Sequence, residues 1–110
     1  MNFTRQERSE ENEPRLLDAI ATLFGDDQRL IDYVLDSNRR RLRRRAGILK
    51  EDAWRFSEED QLRIRAALDI WSGSGHLQLW EILEKWGEED WIPFLRAIRI
   101  WLQIQSEQED

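Results

Sequence analysis

The chain of 110 residues contains no cysteine, a single histidine and only two prolines. The first absence excludes disulfides, zinc–thiolate sites, iron–sulfur clusters and thiol catalysis, and suits a cytoplasmic setting. With one histidine, metal binding falls to carboxylates alone. No Glu-x-x-His pair occurs, and Asp26-Asp27 is followed by Gln28-Arg29-Leu30 where a calcium loop would need further oxygen ligands. Glu81, Glu84 and Glu88 share a helical spacing, but any solvated acidic face has the same spacing. No metal and no cofactor is expected. No apolar run approaches the ~20 residues that span a bilayer. Met1 to Pro14 lacks the apolar core of a secretory signal, so neither a membrane location nor export is expected.

Catalytic groups are equally scarce. A general base needs a positioned partner, and His76 has only Ser72 and Ser74 nearby in sequence, too close to form a triad. The Ser72-Gly73-Ser74-Gly75 turn lacks the strand and the lysine of a phosphate-binding loop, and reads as a plain helix-to-helix turn. The chain is therefore not expected to be an enzyme or to take a small-molecule substrate.

What the sequence does hold is charge and tryptophan. Charged residues make up 36%, and six of the eleven aromatic residues are Trp, a load that a disordered chain would not carry. The length fits one domain, placed at 14–105, with polar tails at 1–13 and 106–110.

Helical periodicity recurs along that domain. Leu16, Leu17, Ile20, Leu23 and Phe24 form one stripe that Gly25 ends. Asp26 or Asp27 caps a second helix carrying Leu30, Ile31, Val34 and Leu35, which either stops near Asn38 or overhangs the core as far as Gly47. Ile48 to Phe56 fits no period and is expected as a packed loop with one short helical turn. Ser57 followed by three acids opens a third helix. A fourth is expected from about His76 to Trp86, with Leu79, Ile82, Leu83 and Trp86 inward. Asp90 is expected to cap a fifth helix that is apolar nearly all round, with Pro93 in its first turn. No Asn-Gly or Asp-Gly hairpin signal occurs. The fold class is therefore all-α, a compact bundle of four to five helices with short, mostly antiparallel connections.

Two features stand above this background. Residues 39–56 hold eight basic and two acidic groups, between flanks that are both acidic, in a chain of net charge −6. Arg39, Arg40, Arg41, Arg43, Arg44 and Arg45 repel one another and need neutralising partners. Acids of the same chain are one source, Asp36 with Arg40 at i,i+4 being the local example. Phosphates of a nucleic acid are another, and an acidic protein surface is a third. The second feature is surplus apolar area. Trp71, Trp86 and Trp101 fall on main apolar faces, whereas Trp80 and Leu77, and likewise Leu62, Ala66 and Ile70, lie off theirs. Either those helices are sandwiched between two layers, or the surplus meets another chain.

Together these features suggest a non-catalytic protein-interaction module, a small adaptor, assembly factor or regulator. It would use the Arg-rich ridge and an apolar patch of Leu62, Ile70, Leu77 and Trp80, on a protein partner or on itself as a homodimer. The alternatives are a nucleic-acid-binding regulator contacting phosphates through Arg39–Arg45, and an acidic inhibitor that mimics nucleic acid.

Overall fold

The computed structural model describes residues 13–108, with side chains as far as 104. Of the tails expected at 1–13 and 106–110, residues 1–12, 109 and 110 lie outside the described residues, while Glu13 opens α1 and residues 106–108 continue α6. The class is all-α, as expected, but six α-helices appear among the described residues instead of four or five. They are α1 (Glu13–Phe24), α2 (Gln28–Val34), α3 (Ala46–Glu51), α4 (Glu58–Ser72), α5 (Leu79–Lys85) and α6 (Glu88–Gln108), with a 3-10 turn at Asp52–Arg55. The additional helix is α3, in the stretch where apolar residues show no clean period. Gly47 lies inside it and is not the stop of a preceding helix.

The ends of the longer helices follow local chemistry. Gly25 takes the left-handed conformation (φ 62°) that closes α1. The Asp27 carboxylate accepts the Leu30 N–H at the start of α2. Ser57 Oγ accepts the Asp60 N–H to open α4, and Gly73 closes it at φ 73°.

The core lies where α1 packs against α6 and α4. α1 contributes Leu16, Leu17, Ile20, Leu23 and Phe24, and α2 adds Leu30, Ile31 and Val34. α4 is the central helix. Its main face, Ile64, Ala67 and Leu68, and its second face, Leu62, Ala66 and Ile70, are both buried. For α4 the surplus apolar area therefore reflects a sandwiched position. α6 differs: Ala97 and Ile104 are buried, while Ile92, Leu95 and Leu102 on the far side are exposed.

Three helix boundaries differ from the sequence reading. α2 stops at Val34, because Leu35 pairs with Leu42 in an isolated antiparallel bridge and Asp36 turns the chain back. α5 starts at Leu79, three residues later than expected, because the His76 and Leu77 N–H groups are tied to Asp69 of α4 and His76 takes a left-handed conformation. Gly87, not Asp90, is the residue ahead of α6. Its carbonyl accepts the Asp90 and Trp91 N–H groups, and the Asp90 carboxylate reaches back to the Gly87 N–H. Pro93 accordingly falls one turn deeper in the helix than its first turn.

Candidate functional site

The six arginines sit on the loop between α2 and α3, with Arg45 as the residue that opens α3, and not on an overhanging end of α2. Arg39 N–H bonds to the Asp36 carbonyl, Arg40 N–H to the Asp36 carboxylate at 2.9 Å, and Asp36 N–H to the Arg41 carbonyl. Arg39 adopts φ 53°, the left-handed residue of this tight turn. The backbone hydrogen bond from Arg40 and the charge of Arg41 hold Asp36 below the usual carboxylate range. Asp36 thus pairs through its side chain with Arg41 (3.4 Å) and with the Arg40 backbone, not with the Arg40 guanidinium.

All six side chains are exposed. Arg39 donates to Gln28 Oε1, and Arg43 donates to the carbonyls of Asp32 and Leu35 at the end of α2. Among the described residues only Arg41 of the six has a carboxylate within ion-pair distance. The block is therefore presented outward with most of its charge uncompensated nearby.

The structure adds neighbours that sequence reasoning set apart. Tyr33 donates to the Leu49 carbonyl at 2.6 Å and so fastens α3 to α2. Arg55 lies over the Tyr33 and Phe56 rings. Burial pushes the Tyr33 hydroxyl up, against the opposing charges of Arg55 and Arg44. Trp54, beside Arg55, is 75% exposed. The loop and the turn after α3 thus each present exposed basic side chains, and Trp54 is exposed on that turn. Its exposure was not readable from sequence, because no period runs through 48–56.

His76 takes φ 54° and its Nδ1 lies 2.8 Å from Lys50 Nζ. The Ser72 and Ser74 hydroxyls bond each other. The 72–78 turn is pinned, not plain. The Asp69 carboxylate accepts N–H groups from Gly75, His76 and Leu77, while Arg65 donates to the Gly75 and His76 carbonyls and to Glu81. Glu81 in turn accepts the Gln78 N–H; that bond and the Arg65 guanidinium lower its pKa. Among the described residues no three His, Asp or Glu side chains are placed to hold a metal ion.

The apolar candidates divide. Leu62 and Ile70 are buried in the α4 core and Leu77 is half-buried against it, Ile70 and Leu77 lining an open groove and Leu62 lining a second cleft with Trp80. Trp80 is 57% exposed, its indole N–H on Gln78. Two residues expected inside are instead outside: Leu79 at 62% and Leu83 at 61%. The reason is the roll of α5. It seats Ile82, with Trp86 beyond its C-terminus, inward, while Glu81 pairs with Arg65 and Lys85 with Glu58 of α4. These contacts leave Leu79 and Leu83 exposed, Leu79 beside α6.

Between α5 and α6 an open groove of about 330 Å³ results. Ala66, Ile70 and Ile82 are among its lining residues, with Leu79 from α5 and Phe94, Ile98, Trp101 and Leu102 from α6. Trp86, Trp91 and Phe94 meet edge-to-face beside it, with ring centroids 5.2 to 5.8 Å apart.

Comparison with protein-family models, with curated proteins and with solved structures finds no match. The functional reading therefore stands on this geometry.

Proposed function

We propose that this domain is a non-catalytic protein-interaction module that binds through the apolar face of α5 and α6. The observation that carries the reading is the exposure of Leu79, Trp80, Leu83, Ile92, Leu95 and Leu102 on these two helices. Scattered single apolar residues need no explanation, whereas a patch beside a groove is the signature of a contact surface. Trp80 stands away from this groove, in a cleft with Leu62, Arg65 and Lys85, and adds an exposed ring of the type enriched in binding hot spots.

The test is capture by the immobilised full chain beside its Leu79→Asp/Leu83→Asp variant. A protein partner is expected to be held by the wild type even at about 0.5 M salt, where screening removes surface electrostatics, and to be lost on the variant. Equal retention by both would overturn the reading.

A second reading, binding of nucleic-acid phosphates by the Arg39–Arg45 loop, is favoured by the exposure of its six arginines, with Trp54 exposed beside Arg55. Bases stack on such rings while arginines neutralise phosphates. Titration of Trp fluorescence with single-stranded oligonucleotides is then expected to saturate, weaken steeply with salt and fail for Arg43→Ala/Arg44→Ala. Absence of binding at low salt would remove this reading.

A further inference from the structure

We infer that α6 pairs with α6 of a second copy, antiparallel, with Ile92 of each chain facing Leu95 of the other. This rests on reading the α5–α6 face as an interface, and it names the partner.

Glu88, Ile92, Leu95, Arg99 and Leu102 recur at steps of four, three, four and three, the spacing of a coiled-coil seam. At 100° per residue they occupy one stripe about 80° wide. All five are exposed. The opposite side of the helix, through Ala97 and Ile104, is buried where α6 packs on α1.

The stripe is self-complementary only when one copy is reversed. With Ile92 opposite Leu95 of the second copy, Glu88 falls opposite Arg99 of that copy, and two-fold symmetry repeats both pairs. A parallel, in-register pair would set Glu88 on Glu88 and Arg99 on Arg99. Within one chain, Glu88 and Arg99 lie 11 residues apart, about 16 Å along the axis, and cannot meet. Among the described residues neither has an ion-pair partner of its own. Two apolar pairs flanked by two ion pairs form the centre. Leu102 extends beyond the first turn of the other copy's α6, toward the chain that joins it to α5.

Sedimentation equilibrium of the full chain, from about 10 µM to about 500 µM, tests the pairing. The average mass is expected to rise from 13.3 kDa toward twice that value. Glu88→Arg and Arg99→Glu, each alone, replace two attractions by two repulsions and weaken the dimer by about tenfold or more. The double variant Glu88→Arg/Arg99→Glu restores the charge match and returns to within about threefold of wild type. Both positions are exposed, so far-UV helicity stays unchanged in all three variants. A wild type that remains monomeric throughout overturns the pairing, while loss of a different partner on Leu79→Asp/Leu83→Asp would still uphold the broader reading. A dimer indifferent to either reversal, or not rescued by the double exchange, overturns the register and with it the inference.

Discussion

Asp69 shows how one side chain sets a local structure that composition disguises. Three backbone N–H groups converge on its carboxylate, and Arg65 ties the carbonyls of the same turn. Asp69→Asn weakens that cradle and is expected to cost about 1–3 kcal/mol in chemical denaturation. Gly75→Ala is expected to cost more, because the added Cβ would stand 1.9 Å from the Arg65 carbonyl oxygen, and a backbone atom must move. The turn reads as plain in sequence because the residues that pin it lie on α4, up to eleven positions away. Trp86 is the converse case. Its indole N–H is buried with no acceptor, so Trp86→Phe removes an unsatisfied donor and offsets part of the lost ring area. Thermal melting should show a far smaller loss for Trp86→Phe than for Trp86→Ala, which opens a cavity worth about 3–5 kcal/mol.

At the scale of elements, the Arg-rich loop stays in place through Asp36 and the Leu35–Leu42 bridge. Asp36→Ala is expected to speed amide hydrogen exchange at Arg40 and Arg43 with little change at Leu30 or Ile31 inside α2. Uniform exchange across both segments would contradict this. Three helix ends were legible: Gly25, Asp27 and Ser57 act as their residue types suggest. The loop was not, because Arg41 and Arg45 continue the period of α2, and a long-range bridge decides against the helix. The face of α5 was misread for a similar reason. Leu79, Ile82, Leu83 and Trp86 make a plausible inward stripe, yet salt bridges from Glu81 and Lys85 to α4 fix a roll that exposes Leu79 and Leu83. The apolar surplus was visible in the sequence, but only packing shows that α4 buries its share while α5 and α6 do not.

For the whole molecule, one ionic network joins α4 to the starts of α2 and α6. Arg29 bonds Asp27 and Asp60, while Arg63 meets Asp27, Asp60 and Asp90. Arg63 is largely buried, so Arg63→Met strands the half-buried and buried carboxylates and is expected to cost about 3 kcal/mol. Burial works against the Asp27 charge, but hydrogen bonds from Arg29 and the Leu30 N–H, with the charges of Arg29 and Arg63, outweigh it and keep Asp27 below the usual range. Asp36 and Glu81 are lowered too. A lowered carboxylate binds protons less readily in the folded than in the unfolded chain. Its contribution is complete above the ordinary value near 4 and is lost as pH falls through the folded value. The urea midpoint should therefore hold steady from about pH 7 to about pH 5 and drop by about pH 3. A flat profile to that point would contradict these assignments.

The proposed role rests on the α5–α6 face being a binding surface and not part of the fold. Sedimentation velocity of the full chain beside a Leu83→Asp/Leu95→Asp variant, at matched high concentration, addresses this most directly. The wild type should associate, and the variant should sediment as a folded monomer. Association unchanged in the variant would contradict the proposal, because removing apolar side chains from an interface weakens it, while a wild type that stays monomeric would contradict the α6 pairing alone.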